Sequence, residues 1–564
     1  MLKNSRCCIY IFFALLFCGG YLRLYNLENI PLWQDEAETA FYAKQVLDFR
    51  LPNAYDEKRD LFLYIGALIP ISNSDSHLSL IDPHIYGFVQ EDFSSDGKLI
   101  KHPYGDILVT AISFFIFGPS TFSARFLFAL IGTFSLILTY KLGRYLYNKK
   151  IGLISMAFQT FNIVLIAYER QARHYSLGVF CFLGSLYFGL KAVEKDQIKD
   201  YIFTAMFFIG LICGSPITAI AAFLIIFVYN CYSQKTLKWI LNKKIMYSLL
   251  LLLAFTLMYS SIYQPWRSWH ITPVHFTLFD KFFKIALFMV TFSIDCSFLL
   301  VCLGIVTLLY RRDKSDILII LVLLSSLLIY SCFIFYTSLY ERVMLVIIPF
   351  LSMTIARFLN ELYQYLQERR FNELLKGAIF YGVLFTALIF PTHFSFPSTI
   401  ISRYCRYPLH RYVPSKINLV YHLKFINNME SNDFLHRGIW DTQWVMEAIE
   451  FMKNKSVSTN EWVFTTYNNA VFLFYSDFKV QLIWPIRKSF LDSYQKRFWV
   501  LIGPYDHESS ACNWFYKFSG VEEKCKYRNY IDKIKTAKKY TLPSGTIIYE
   551  CNSSLKPENI RTSL

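Results

Sequence analysis

Eleven stretches of this sequence are apolar for long enough to cross a lipid bilayer, which confines the chain to a bundle of spanning helices. A hydrocarbon core about 30 Å thick needs about 20 apolar residues in a helix. Inside it every backbone N–H and C=O must find its partner within the protein, so long apolar runs become helices. The runs lie near 8–25, 124–145, 151–168, 174–192, 200–213, 216–233, 245–263, 285–310, 316–337, 340–360 and 374–391. The stretch 104–118 is apolar but shorter, and its length fits a span, an interfacial helix or a re-entrant segment. Composition agrees, because 54% of the residues are apolar and 18% aromatic, against about 45–50% apolar in soluble chains. The Gly214-Ser215-Pro216 junction suits a tight turn between two helices.

The net charge of +16 points to topology and excludes a nucleic-acid partner as the default. Basic residues gather in short loops between spans: 141–150, 191–199, 235–244, 311–314 and 369–370. Loops rich in Lys and Arg stay on the cytoplasmic side. With Lys3 and Arg6 inside, eleven spans and 104–118 not spanning, every basic loop falls inside. Loop 26–123, the Tyr168–Tyr175 turn, loop 264–284, the Tyr336–Arg342 turn and the C-terminal region then fall outside. The N-terminal run lacks a small-x-small cleavage site before Arg23-Leu24-Tyr25 and reads as a retained anchor. The 13 cysteines contain no C-x-x-C pair and lie mostly in apolar runs, where thiols act as small hydrophobes. Cys512 and Cys525 lie in the polar C-terminal part, where an oxidising compartment permits a disulfide.

The chain divides into 1–397, the transmembrane part with its long external loop 26–123, and 398–564, a soluble α/β domain on the external side. In the second part apolar runs shorten. Asp441–Met452 has helical spacing, Trp462–Thr466, Val480–Trp484 and Trp499–Ile502 read as strands, and Tyr540–Glu550 reads as a hairpin around Pro543-Ser544-Gly545.

Five polar clusters then share the outer face. The first is Asp35-Glu36, in a segment whose apolar positions 33, 37, 40, 41, 43, 46 and 47 predict an amphipathic helix lying on the membrane surface. There Asp35 is the expected N-cap, with Glu38 three residues on as in a capping box. The second is the turn Glu169-Arg170-Gln171-Ala172-Arg173-His174-Tyr175; charge this close to the bilayer is costly unless paired. The others are Lys101-His102-Pro103, Trp266-Arg267-Ser268-Trp269-His270 and Tyr340-Glu341-Arg342. Arg342 at the start of a helix adds a cation to free backbone N–H groups and suits a phosphate.

Taken in order, P-L-W-x-D-E-A-x-x-A (Pro31 to Ala40), H-P (His102-Pro103), S-A-R-F (Ser123 to Phe126), R-x-A-R-x-Y (Arg170 to Tyr175) and E-R-V (Glu341 to Val343) resemble the family 39 glycosyltransferases. These are membrane-embedded GT-C enzymes, among them protein O-mannosyltransferases and lipid A aminoarabinose transferases, and the resemblance covers about residues 8–390. It implies a GT-C bundle of about 11–13 transmembrane helices, a polyprenyl-phosphate-linked sugar as donor and an external acceptor: a glycolipid, a polysaccharide or a protein. It implies Asp35 as catalytic base, with Glu36 and Glu169 as the further carboxylates of the site. It places Lys101, Arg173 and Arg342 on the donor phosphate, and His102, Arg267 and Tyr175 belong with them by position. Where many relatives have Pro-Pro, this chain has His102-Pro103-Tyr104.

The residue types suit one displacement with inversion, since a phosphate leaves readily and one carboxylate can take the acceptor's proton. Glycosidases need two. No cofactor is required and no metal ligand set is assigned, although Asp75, His77, Asp82 and His84 leave a divalent metal open. A bacterial inner membrane is the expected location. The alternative is a transporter or flippase of a lipid-linked saccharide; transporters place charges near the midplane and carry internal repeats, whereas here the charges sit at the outer face and no repeat is seen.

Overall fold

The computed structural model describes residues 5–53, 98–100, 102–235, 242–264, 298–333, 344–369, 372–389, 442–465, 469–482, 497–503 and 537–551. The chain is a polytopic α-helical protein with a small C-terminal α/β domain. The transmembrane part contains α1 (Ser5–Leu24), α2 (Gln34–Leu47), α3 (Gly105–Phe117), α4 (Thr121–Leu146), α5 (Lys149–Thr160), α6 (Ile163–Glu169) and α7 (Tyr175–Lys195). It continues through α8 (Ile198–Gly214), α9 (Pro216–Gln234), α10 (Lys243–Ser260), α11 (Phe298–Arg311), α12 (Lys314–Phe333), α13 (Ile348–Glu368) and α14 (Glu373–Ile389). Six described helices are long and apolar enough to cross a membrane. One expected span, 151–168, is two helices instead. Asn162 accepts the Leu165 N–H at 2.9 Å and starts α6 as a new helix. A side-chain acceptor of this kind competes with the continuing backbone ladder.

The 104–118 stretch forms α3, whose 13 residues reach about 20 Å, short of the hydrocarbon thickness. One face of α3 buries Ile107, Thr110, Ala111 and Phe114, while Leu108, Ile112, Phe115 and Ile116 are exposed. Its start is fixed by close approach: a Cβ on Gly105 would meet the Cys213 carbonyl oxygen at 2.8 Å.

The helix ends sort into two sides. At one, Arg357 on α13 reaches Asp316 at 3.2 Å, Asp313 at 2.8 Å and Glu361 at 2.5 Å. The Tyr147 hydroxyl donates to Asp316 at 2.8 Å, and the Ser315 hydroxyl to the Leu146 carbonyl at 2.5 Å. The basic stretches 141–150 and 311–314 therefore share one end of the bundle. The other end carries the start of α4, where Thr121 bonds the Tyr475 hydroxyl at 2.6 Å, and hence the C-terminal domain.

That domain holds α15 (Gln443–Asn454), β1 (Trp462–Thr465), α16 (Asn469–Tyr475), β2 (Lys479–Leu482), β3 (Phe498–Ile502), β4 (Lys538–Thr541) and β5 (Ile547–Cys551). The strands form one sheet in the order β2-β1-β3-β5-β4. β1 runs parallel to β2 and β3, while β5 is antiparallel to β3 and β4. The expected hairpin is present, with Gly545 at φ 85° in its turn. β1 and β3 are buried along their whole length, as central strands covered on both faces must be.

The amphipathic helix α2 does not rest on a lipid surface as its pattern suggests. Ala37, Ala40, Phe41 and Tyr42 share one apolar core with Ile107 and Phe114 of α3 and with Val471, Phe472 and Phe474 of α16. Protein covers the face that periodicity alone assigns to the membrane.

Candidate active site

The site begins at the N-terminus of α2. The helix starts at Gln34 with Trp33 as N-cap, two residues earlier than expected, so Glu36 rather than Glu38 is the third helical residue. Glu36 accepts the Trp33 N–H at 3.3 Å, and the capping role assigned to Asp35 with Glu38 passes to Trp33 with Glu36. Glu38 accepts instead from the Tyr42 hydroxyl at 3.2 Å. The two carboxylates of the pair are thereby separated in environment. Glu36 is fully buried; Asp35 is half-buried.

Glu36 is held from three sides. Arg125 meets it with two parallel bonds, Nε to Oε1 at 2.9 Å and Nη2 to Oε2 at 2.5 Å, and the Ala172 N–H donates to Oε1 at 2.8 Å. Bidentate pairing of this kind fixes both partners in one plane. Arg125 also donates to the carbonyls of Leu27, Ile30 and Pro31 at 3.0, 2.6 and 3.2 Å. It ties the loop before α2 to α4, which gives the S-A-R-F motif a physical task.

The charged turn after α6 is divided among three tasks. Glu169 points into the bundle, where Arg23 of α1 donates to it at 2.6 Å with both side chains fully buried. Ser135 donates to its other oxygen at 3.2 Å, and a Cβ on Gly132 would stand 2.8 Å from its own. Arg170 caps the C-terminal end of α1 by donating to Leu22, Tyr25 and Asn26 carbonyls at 3.0, 2.7 and 3.2 Å. Cations belong at that end of a helix.

Arg173 reaches the site. Its Nη1 donates to the Asp35 carbonyl at 3.2 Å and the Thr39 hydroxyl at 3.1 Å, and lies 3.9 Å from Asp106 Oδ2. Burial alone would lower its pKa, but Asp35 and Asp106 more than offset this and hold it above the ordinary value. Asp106, in the first turn of α3, is fully buried. His102 Nε2 lies 3.1 Å from each of its oxygens. Burial pushes the Asp106 carboxyl up, yet His102, His174 and Arg173 together hold it well below the usual range. His174 Nδ1 stands 3.9 Å from Asp106, beyond hydrogen-bond reach, and burial keeps this imidazole below its ordinary pKa. Tyr175 opens α7 and is buried, its ring edge-on to Tyr168 at 5.2 Å.

Of the residues singled out in the sequence, Asp35, Glu36, His102 and Arg173 come together, with Tyr175 two residues beyond Arg173. Glu169 faces Arg23 and the helix bundle. Lys101, Arg267 and Arg342 lie outside the described residues, as do Asp75, His77, Asp82, His84, Cys512 and Cys525. Asp106 belongs to the cluster without standing in any of the sequence motifs, and Arg125 enters it from S-A-R-F, where no role is assigned to it. The i, i+4 spacing of His102 and Asp106 at a helix start was the available signal for the first. No group of three or more metal-ligating side chains occurs among the described residues.

The C-terminal domain closes over α2 beside this cluster. Gln34, next to Asp35, donates to Asn469 Oδ1 at 3.0 Å and accepts the Ala470 N–H at 3.3 Å. The Tyr475 hydroxyl accepts the Leu32 N–H at 2.9 Å. Lys44 donates to the Phe474 carbonyl at 3.2 Å and sits 4.2 Å over its ring.

Residues 101–263, which include His102, Asp106, Arg125 and the charged turn, match the model of the family described as dolichyl-phosphate-mannose-protein mannosyltransferase. No curated protein matches the sequence. Among solved structures, ArnT from Cupriavidus metallidurans in the apo state superposes with a TM-score of 0.57 at 10% identity, covering 98% of this chain and 99% of that one. The same protein bound to undecaprenyl phosphate gives 0.54 at 10% identity, covering 99% and 100%. The Archaeoglobus fulgidus oligosaccharyltransferase tethered to an acceptor peptide gives 0.52 at 10% identity, covering 97% of this chain and 74% of that one.

Proposed function

We propose, taking the GT-C fold as premise, that this protein is an inverting glycosyltransferase that moves a sugar from a polyprenyl-phosphate donor to an acceptor hydroxyl at the outer membrane face. The observation that carries the reading is the Asp35–Arg173–Asp106–His102 cluster at the end of the bundle that holds the C-terminal domain. It sets the half-buried Asp35, through its backbone carbonyl, against the largely buried Arg173 guanidinium, which also nears the Asp106 carboxylate that meets the His102 imidazole. A base and an anion subsite within one cluster are what a single displacement on a sugar phosphate requires.

In this reading Asp35 accepts the proton of the acceptor hydroxyl. The freed oxygen attacks the anomeric carbon from the face opposite the phosphate. The bond between the anomeric carbon and the phosphate oxygen breaks, and its electron pair leaves with the lipid phosphate. Arg173 and His102 stabilise the charge that gathers there. Glu36 positions the base through Arg125 and Ala172, and Glu169 braces the bundle through Arg23; neither moves a proton. The transporter reading has less support, because the buried charges Arg23 and Glu169 close on one another instead of lining a path.

The family match over 101–263 and the undecaprenyl phosphate in the ArnT relative support a lipid-phosphate donor. The charge distribution supports placing the site and C-terminal domain on the non-cytoplasmic side of the membrane, which in this reading is a bacterial inner membrane. Reconstitution with radiolabelled polyprenyl-phosphate sugars tests the class: the wild type transfers label, and Asp35→Asn loses about 10²–10⁴ in rate. Absence of transfer from every such donor rejects the enzyme reading, and full activity in Asp35→Asn rejects the base.

A further inference from the structure

A buried carboxylate needs a reason. Asp106 stands in the first turn of α3, where an acid favours the helix dipole. An exposed Asp would serve the dipole equally well without the desolvation that full burial imposes. Its side chain does more than end a helix. Oδ1 accepts the Ile107 N–H at 3.0 Å, and both oxygens lie 3.1 Å from His102 Nε2. Arg173 Nη1 and His174 Nδ1 each lie 3.9 Å from Oδ2. Three basic side chains thus converge on one carboxylate, which gathers them around a single point.

The convergence leaves a gap of one chemical kind. Arg173 Nε and His174 Nδ1 are buried without a hydrogen-bond partner among the described residues. Buried polar atoms are nearly always satisfied, by protein, water or ligand. An anion with several acceptor oxygens fits a place where a guanidinium N–H stands unused beside two imidazoles. We infer that Asp106 is a positioning residue for the donor's phosphate. It fixes His102 and Arg173 so that both address one anion next to Asp35. This rests on the reading of the cluster as a lipid-phosphate site.

Charge counting and positioning predict opposite outcomes. Asp106→Asn removes a negative charge from an anion site, so by charge alone it tightens phosphate binding. By positioning it weakens it, because His102 and Arg173 lose their orientation. The experiment measures binding of undecaprenyl phosphate to the full-length protein in nanodiscs, with melting temperature as the check on folding. Asp106→Asn is expected to weaken binding about tenfold, the size of one hydrogen bond involving a charged group. In a His102→Gln background the same change is expected to cost much less, since the residue acts through His102. Unchanged or tighter binding in Asp106→Asn overturns the inference, as does an equal loss in both backgrounds. Should Asp106→Asn not fold, Asp106→Glu decides, because it keeps the charge and shifts it by one methylene: weakened binding supports positioning, and unchanged binding overturns it. If the wild type transfers sugar and binds the lipid phosphate while these variants match it, only the Asp106 role fails. If the wild type binds no lipid phosphate, the site reading fails first and this inference with it.

Discussion

Glu169 and Arg23 show how a charge inside the bundle is made tolerable. Both are fully buried and 2.6 Å apart, with Ser135, Gly19 and Gln159 supplying further hydrogen bonds. Removing one partner of such a pair strands the other, at a cost of about 3–5 kcal/mol. Glu169→Gln and Arg23→Met are each expected to lower the melting temperature in detergent strongly, while turnover per folded molecule stays within a few-fold of wild type. A Glu169→Gln enzyme that melts normally but transfers no sugar would return Glu169 to the chemistry. Asp106 gives a pH signature of its own. Its folded-state pKa is held below the unfolded value by His102, His174 and Arg173 acting against burial. Its contribution to stability is therefore complete above the unfolded carboxylate pKa of about 3.9, and drains away as pH falls toward the folded value. The stability gap between wild type and Asp106→Asn, followed by thermal unfolding, should shrink as pH falls below the ordinary carboxylate range; a gap that widens there would contradict this sign.

At the scale of elements, α2 is the piece on which everything else converges. Arg125 holds it from α4, Ala172 from the charged turn, α3 along one side and α16 along another. The contacts from α16 fall just ahead of the base in sequence: Leu32 bonds Tyr475 and Gln34 bonds Asn469 and Ala470. The C-terminal domain thus sets where the start of α2 sits. Tyr475→Phe removes the acceptor of the Leu32 N–H and the partner of Thr121, and an unsatisfied buried donor costs about 1–3 kcal/mol. Faster amide exchange over residues 31–36 and a slower transfer step are expected, with donor binding little changed because Arg173 and His102 are untouched. Amide exchange equal to wild type would mean that the domain rests on α2 without constraining it. Periodicity in α2 identifies its apolar face correctly and its covering wrongly. A stripe of Ala and Phe reads the same whether lipid or another helix lies against it, and α16 is more than 400 residues away in sequence. The break at Asn162 escapes hydropathy for a related reason. The residues on both sides are apolar, and only one side-chain hydrogen bond to Leu165 separates two helices from one.

For the molecule as a whole, long-range order was legible wherever it follows from solvent and charge. Apolar runs mark the helices, the described basic loops mark one end of the bundle, and the polar clusters around Asp35, His102 and Arg173 mark the other. Asp35, His102 and Arg173 were found because each sits in a short, dense polar motif. Pairings across the bundle carry no local mark: nothing near Arg23 announces Glu169, and nothing near Arg125 announces Glu36. The bundle has two chemically distinct ends, each of which meets one compartment. Excess Lys and Arg decides which is which in a membrane with the usual charge bias, and this is testable on intact cells. Lys195, exposed at the end of α7, belongs to the basic side, and Thr459, exposed before β1, to the side of the site. An epitope inserted at Thr459 should be cleaved by protease added outside cells whose outer barrier has been opened, and one at Lys195 should be protected until the membrane is dissolved. The reverse pattern would put Asp35 and its acceptor in the cytoplasm, where the charged loops would have to face outward against the bias. Cleavage of both tags in sealed cells would mean that the basic loops and the C-terminal domain share a side, contrary to the bundle whose opposite ends carry them.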